Sequence, residues 1–259
     1  MKLLSLIILF NIIGFSQDEI SQKQIIDKFK INQIYKNVII EGKIIISKTI
    51  NDVNKAKIRE FKIYNKFFDS GKYDYKNLLL FVSPINLKNT SVLSWYSNID
   101  HDSSKRFIYF PSLKKTQQIN FNNKNNFYGF NFDYFEFIKG FRNNLIDKNV
   151  DISYKDNYLI LKTINLNKTL QNKIFSQSVW IDKESFNIKR IEFFNIKEKL
   201  ITEISFLKFD NFGTQTFPTE FEIINYDKKN TILFQVTNIE FSTVIEDDIF
   251  NENFSFLKN

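Results

Sequence analysis

Apolar and polar residues alternate with a period of two along most of this chain, and no other feature constrains its fold as strongly. The alternation is clear in residues 38–48, 57–68, 217–226 and 231–241. Successive side chains of a β-strand point to opposite faces, so each segment has one apolar and one polar face. About ten or eleven such segments follow one another along the chain, separated by short turns, which predicts an antiparallel meander.

One stretch near the N-terminus has a helical period instead. In residues 18–33 and just beyond, apolar side chains recur three or four residues apart, at Ile20, Ile25, Phe29 and neighbouring positions. A second helix is considered around residues 132–141. The chain shows no internal repeat, no linker and no shift of composition. It is therefore predicted to form a single mainly β domain, a barrel or half-barrel with helix against its concave face.

The first sixteen residues have the pattern of an export signal. Lys2 supplies a positive start, residues 3–10 form an apolar run, and the small residues Gly14 and Ser16 precede Gln17. The apolar run is shorter than the roughly 20 residues that a spanning helix needs. We therefore expect a signal peptide at residues 1–16, cleaved before Gln17, and an exported, periplasmic domain at residues 17–259.

Composition excludes several classes of function. The chain has no cysteine, so disulfides and thiolate metal sites are absent. Its formal net charge is +7, but the lysines are scattered and only four basic residues are arginine, the residue that favours bidentate phosphate and base recognition. Nucleic-acid binding is therefore not expected, whereas a weak attraction to anionic lipid surfaces stays open.

The sequence offers little for acid–base or metal chemistry. His101 is the only histidine and lies in a polar segment, residues 100–104, that reads as an exposed turn. No G-x-S-x-G elbow or phosphate-binding glycine pattern occurs. The acidic residues 246–248 are interpreted as the first turn of a C-terminal helical segment that packs through Ile249, Phe250 and Phe254. We predict no enzyme activity, no catalytic residue, no metal and no cofactor.

Aromatic residues carry more information. The chain has 30 Phe, and residues 107–140 are especially rich in rings. The simplest explanation is a thick core. The alternative is a cavity lined by aromatic side chains, of the kind that binds small apolar ligands. Side chains with a dry and a wet end, such as those of Trp95 and Tyr109, suit the rim of such a cavity.

The segment Tyr109-Phe110-Pro111-Ser112-Leu113-Lys114-Lys115 resembles a motif of the outer-membrane lipoprotein-sorting-like (LolA-like) proteins. The aromatic and acidic residues 127–136 stand where that family has a second motif, although Phe130 and Asn131 depart from it. Weaker matches follow the family order across residues 35–257, at residues 79–84, 179–182, 217–219 and 250–257.

The resemblance implies an antiparallel incomplete (half-open) β-barrel with helices covering an apolar concave face. Such proteins are similar to periplasmic carriers that shield the acyl chains of lipoproteins in transit. Some relatives resemble partners of exporters of the resistance–nodulation–division (RND) class. We accordingly expect a monomer whose partners are lipid or lipoprotein acyl chains, with an RND-type exporter or an outer-membrane acceptor as a further partner.

The first hypothesis is thus a carrier of lipid or lipidated cargo in the cell envelope. Lys114 and Lys115 are candidates for contact with a headgroup or a partner. The alternatives are an exporter accessory or scaffold module without lipid cargo and, less favoured, a hydrolase. The candidate residues of the cavity and its lid are Trp95, Tyr109, Phe110, Leu113, Phe127, Phe130, Phe132 and Trp180.

Overall fold

Thirteen antiparallel strands form one sheet in the computed structural model of the chain. The structure describes residues 24–25, 37–50, 53–68, 71–97, 103–119, 150–164, 175–213, 215–241 and 244–254. The strands are β1 (Val38–Ile50), β2 (Val53–Phe67), β3 (Tyr73–Ser83), β4 (Ser91–Ser97), β5 (Lys105–Phe110), β6 (Lys115–Ile119), β7 (Asp151–Lys155), β8 (Tyr158–Ile164), β9 (Ser176–Asp182), β10 (Ile188–Phe194), β11 (Leu200–Phe212), β12 (Gln215–Asn225) and β13 (Asn230–Phe241).

The strand order is β6-β5-β4-β3-β2-β1-β13-β12-β11-β10-β9-β8-β7. Every strand therefore pairs with at least one strand that is its neighbour along the chain. The pairing of β1 with β13 is the exception to this order, and it joins the first half of the sheet to the second. The strands β6 and β7 form the two edges, so the barrel is open. The predicted fold class is confirmed: the chain is mainly β, antiparallel and half-open.

One face of the sheet, which we call the inner face, carries the main apolar core. Gly42 and the β-bulge beside it shape its centre, because a Cβ at this position would lie 2.8 Å from Cζ of Phe61 and 2.4 Å from the carbonyl oxygen of Gln235. The missing side chain leaves room for the Phe61 ring, which meets Phe234 edge to face. The buried members of the core are Ile25, Val38, Ile40, Ile44, Phe61, Leu79, Phe81, Leu87, Val92, Ile108, Leu159, Leu161, Val179, Ile181, Phe186, Ile188, Ile191, Ile204, Phe206, Phe217, Phe221, Ile223, Ile232 and Phe234.

The opposite side, which we call the outer face, is covered locally by the C-terminal segment. A 3₁₀-helix, Asp247–Phe250, follows Glu246 and has two acidic residues in its first turn, as predicted. Phe250 and Phe254 are buried beneath this segment. They pack with Ile245, Leu78, Leu93, Phe107 and Tyr109 in a separate apolar cluster.

Most of the predicted strands are present within a few residues of their expected bounds. Pro111 ends β5 in a 3₁₀ turn, Pro111–Leu113, before β6 begins. The strand β7 (Asp151–Lys155) was missed, because it is short and has only Ile152 as an aliphatic residue. Of the predicted N-terminal helix, Gln24 and Ile25 are described and helical, and Ile25 is buried in the main core. The proposed signal peptide, His101 and the second helix lie outside the described residues.

The loops fall at two ends of the strands. One end carries the turns β3–β4 (84–90), β5–β6 (111–114), β10–β11 (195–199) and β12–β13 (226–229), which we call the lysine rim. The other end carries the turns β2–β3, β7–β8 and β9–β10, which we call the opposite rim.

Candidate functional site

An unbroken row of aliphatic side chains crosses eight neighbouring strands on the inner face. Backbone register places each member opposite the next, and six of the eight are isoleucines, on β7, β1 and β10–β13. Six members of this row are buried in the main core, and Ile152 and Ile46 at its two ends are partly buried. From the β7 edge to β1, the row is Ile152, Leu161, Val179, Ile191, Ile204, Ile223, Ile232 and Ile46.

Phenylalanine rings flank this row on the central strands. Phe221 and Phe234 stack with their ring centroids 4.6 Å apart, and Phe206 lies 5.7 Å from Phe221. These rings are buried, so for them the core interpretation is the correct one. The accessible part of the inner face consists of half-buried hydrophobic residues packed against the core: Ile46, Ile63, Phe110, Ile119, Val150, Ile152, Tyr154, Phe193, Phe209, Phe212, Val236, Ile239 and Phe241.

The inner face changes character across β2–β5, where four polar residues stand in register. Asn65 pairs with Asn77, Asn77 with Ser94, and Ser94 with Arg106. Asn77 Nδ2 donates to Asn65 Oδ1 at 2.7 Å, and Arg106 Nε donates to Ser94 Oγ at 2.9 Å. Asn65 is 1% exposed, and its own Nδ2 has no hydrogen-bond partner in the described part of the chain. We call these residues the polar row.

A stack of three aromatic rings lies beyond the polar row, towards the opposite rim. Tyr75 stacks on Tyr96 with centroids 4.0 Å apart, and on Phe67 at 5.4 Å. Arg106 Nη2 also donates to the hydroxyl of Tyr96 at 3.5 Å, which connects the stack to the polar row. The inner face is therefore amphipathic along its length. The alternation that predicted the strands could have revealed the polar row, because Asn65 and Asn77 fall on the apolar side of their strands.

Residues 109–115, which resemble the motif of the LolA-like proteins, lie in the β5–β6 hairpin. Phe110 is half-buried on the inner face and packs against the main core. Leu113 is 69% exposed at the tip of the turn. Lys114 follows in the left-handed conformation (φ 46°), and its N–H donates to the carbonyl of Pro111. Lys114 and Lys115 are both exposed, so neither lies on the apolar interior.

Trp95 and Tyr109 lie on the outer face, beneath the C-terminal segment. Trp95 Nε1 donates to the carbonyl of Phe250 at 3.2 Å, and Tyr109 stacks on Phe254 with centroids 5.3 Å apart. The alternation of side chains along a strand explains this placement for Tyr109, because it directly follows Ile108, which lies on the inner face. For these two residues the structure corrects the sequence interpretation: they pack outside the barrel, away from its apolar interior.

Trp180 needs the same correction, since its neighbours Val179 and Ile181 point into the core. Its Nε1 donates to Glu192 Oε2 at 2.8 Å, and the Arg190 guanidinium lies 4.0 Å from its ring. Trp180 therefore belongs to a polar and aromatic group on the outer face. The other three predicted residues, Phe127, Phe130 and Phe132, lie outside the described residues. The eight candidates do not converge on one surface in the part of the chain that is described.

The described residues offer no cluster for metal binding or proton transfer. No group of three His, Cys, Asp or Glu side chains comes together among them. The pKa of Asp182 is lowered chiefly by the backbone N–H of Ser185, and the pKa of Lys62 is raised chiefly by its hydrogen bond to Glu41. Both groups belong to a surface turn or a surface ion pair, so neither forms the buried acid–base pair typical of a catalytic site.

A family model described as an uncharacterized protein matches residues 73–255. Among solved structures, a domain described as outer membrane lipoprotein-sorting from Vibrio parahaemolyticus has a TM-score of 0.72 and 18% identity, with 90% of this chain and 98% of that one covered. A DUF1329 family protein from Desulfovibrio piger has a TM-score of 0.75 and 16% identity, with coverages of 89% and 95%. A LolA superfamily protein from Nitrosomonas europaea has a TM-score of 0.56 and 12% identity, with coverages of 89% and 97%.

The chain belongs to the family whose model matches residues 73–255, and its fold is LolA-like. The LolA-like resemblance is thereby confirmed at the level of the fold. No curated protein matches the sequence. Among the described residues, no helix is both long and apolar enough to cross a membrane. These structural neighbours show the fold of the chain.

Proposed function

We propose that this protein is an envelope carrier that holds the acyl chains of a lipid or lipoprotein against the inner face of its open sheet. The observation that carries the proposal is the set of half-buried hydrophobic residues on the inner face, which borders the buried aliphatic row. Transfer of an acyl chain from water to such a surface is favourable by about 0.8 kcal/mol for each buried CH₂ group. An open sheet gives a long, flexible chain a way in and out that a closed barrel would not.

The proposal includes location and processing. The carrier works in the periplasm, reaches it with the signal peptide at residues 1–16, and performs no catalysis. Mass spectrometry of the exported protein tests the processing step, with an N-terminus at Gln17 expected. A chain that still begins at Met1 would contradict it.

Cargo binding is tested by native mass spectrometry of protein purified from cells, followed by titration of delipidated protein with a fluorescent fatty acid. We expect copurified lipid and saturable uptake. Protein that is repeatedly free of lipid and takes up no fatty acid would overturn the proposal. In that case an exporter accessory or scaffold module without lipid cargo would be favoured, and capture of an RND-type exporter would test it.

Variants locate the binding surface. Replacing Phe110 and Ile119 together by serine removes half-buried apolar contacts from the inner face without touching a fully buried residue. We expect weaker fatty-acid binding by protein that is still folded, with a melting temperature lowered by the loss of these contacts. Leu207→Ser is the matched control, because Leu207 is already exposed to solvent. Equal loss in both proteins would show that the effect is not specific to the inner face.

A further inference from the structure

Three loops of the lysine rim each display one aliphatic side chain to solvent. Ile85 in the β3–β4 turn is 85% exposed, Leu113 in the β5–β6 turn is 69% exposed, and Ile196 in the β10–β11 turn is 77% exposed. Two further apolar side chains, Ile164 and Tyr226, are partly exposed at the same rim. In contrast, the described parts of the turns of the opposite rim carry no exposed large hydrophobic residue. The exposed Val244 does lie at that end of the sheet, but it follows β13 and is close to the acidic residues 246–248 instead of lysines.

Backbone hydrogen bonds fix the shape of these loops, so the exposure is built into the turns. The N–H of Leu87 donates to the carbonyl of Pro84, and Leu87 itself is buried while Ile85 points outward. The carboxamide oxygen of Asn195 accepts from the N–H groups of Lys197 and Lys199, which closes the turn that presents Ile196.

Each exposed aliphatic residue has a lysine close by in the same loop. Lys88 accompanies Ile85, Lys114 adjoins Leu113, and Lys197 adjoins Ile196. The described loops of the opposite rim are balanced, with Lys72 and Lys183 against Asp156 and Glu184. On the lysine rim the acidic residues Glu198 and Asp227 are outnumbered by Lys88, Lys114, Lys197, Lys199, Lys228 and Lys229.

We propose that the lysine rim docks this protein on the surface of an anionic lipid bilayer. Single aliphatic side chains at loop tips can enter the headgroup region one by one, while neighbouring lysines remain with the anionic headgroups. The positive excess of this rim complements the negative surface potential of such a membrane. A protein partner would instead favour one contiguous patch with aromatic anchors.

This inference goes beyond the proposed carrier function and does not depend on it. Docking requires the loop tips, whereas cargo binding requires the inner face. A protein without lipid cargo could still dock, and a carrier could bind fatty acid without docking. The two proposals therefore fail in different experiments.

The test is cosedimentation of the exported protein with vesicles of phosphatidylcholine alone or of phosphatidylcholine mixed with phosphatidylglycerol. We compare the parent with the aliphatic variant Ile85→Ser/Leu113→Ser/Ile196→Ser and the charge variant Lys88→Gln/Lys114→Gln/Lys197→Gln. The control Leu207→Ser/Val244→Ser removes two exposed aliphatic residues that lie outside these loops. The parent and all variants have the same N-terminal residues, so any contribution of these residues to vesicle binding is the same in every form. Differences in binding between the forms therefore report on the substituted residues.

We expect the parent to bind the phosphatidylglycerol vesicles and to lose binding as salt rises. The aliphatic variant should bind these vesicles at least about tenfold more weakly than the parent. The charge variant should lose most of the salt dependence of binding, and the control should bind as the parent does. Failure of the parent to bind, binding that ignores vesicle charge, or equal binding by the parent and the aliphatic variant would each overturn the proposal. Unchanged far-ultraviolet circular dichroism and melting temperature establish that the variants are folded.

Discussion

The indole Nε1 of Trp95 donates a hydrogen bond to the backbone carbonyl of Phe250, 3.2 Å away, and so ties β4 to the C-terminal segment. A few residues later, Phe254 is fully buried and stacks on Tyr109 of β5. Lys66 adds an ion pair to Asp247 at 2.8 Å. The C-terminal segment is therefore a structural cover for the outer face of β2–β5.

Truncating the anchor of this cover should destabilise the whole sheet. We expect Phe254→Ala to lower the free energy of unfolding by about 3–5 kcal/mol, because the change leaves a cavity beneath the segment. Urea denaturation measures the loss. Asn253→Ala is the control, since Asn253 is exposed and adjacent. A similar stability for the two variants would mean that the segment is not anchored by Phe254.

The absence of a side chain at Gly42 should also be important to the stability of the inner face. In Gly42→Ala the new Cβ would meet the carbonyl oxygen of Gln235 and the ring of Phe61. We expect a loss of about 1–3 kcal/mol, as for overpacked cores. Chemical denaturation checks this, with Lys43→Ala as the control on the same strand.

A second substitution separates the two contacts of Gly42. Phe61→Leu in the Gly42→Ala background should restore only part of the stability, because the contact with the backbone of Gln235 persists. Full restoration would show that the Phe61 ring is the whole obstacle.

The sequence predicted the strands well because alternation is a local property, and β1, β2, β12 and β13 keep it over long runs. The same pattern did not identify the cavity residues. The high content of aromatic residues indicates that Trp95, Tyr109 and Trp180 are packed. The face of the sheet on which each side chain lies depends on whether its position along the strand is odd or even relative to the core residues. Attention to parity would have placed Tyr109 opposite Ile108, on the outer face.

Other features depend on how strands far apart in the sequence pair. The aliphatic row from Ile152 to Ile46 needs seven correct registers, and the pairing of β1 with β13 joins segments almost two hundred residues apart. No local pattern encodes that pairing. The exposure of Ile85 and Ile196 was also hidden, because a sequence shows an aliphatic residue in a turn without showing whether it folds back on the sheet.

The polar row gives a prediction about pairwise coupling. Asn77→Leu removes the donor to Asn65 and leaves a buried amide without its partner, at a cost of about 1–3 kcal/mol. Asn65→Leu should also be destabilising, but by less, because the amide of Asn77 that it leaves without a partner is only partly buried. The double variant should cost less than the sum of the two, since neither polar group remains buried. Urea denaturation of the four proteins completes the cycle, and strictly additive losses would show that the amides do not act as a pair.

The turn after β9 gives a prediction about pH. Asp182 accepts hydrogen bonds from the N–H and hydroxyl of Ser185, both at 2.8 Å, and these interactions lower its pKa below the ordinary value of 3.8. A carboxyl group with a lowered pKa in the folded state stabilises the fold above its unfolded pKa, and this contribution is lost as the pH falls through the folded pKa. Asp182→Asn should therefore be less stable than the parent at neutral pH, by below about 1 kcal/mol because the group is partly exposed to solvent. The difference should narrow below about pH 4. Denaturation midpoints across this range measure it, with Glu184→Gln as the control on the same turn. A stability difference that stays constant down to the lowest pH, or that widens there, would contradict the role assigned to the Asp182 carboxylate.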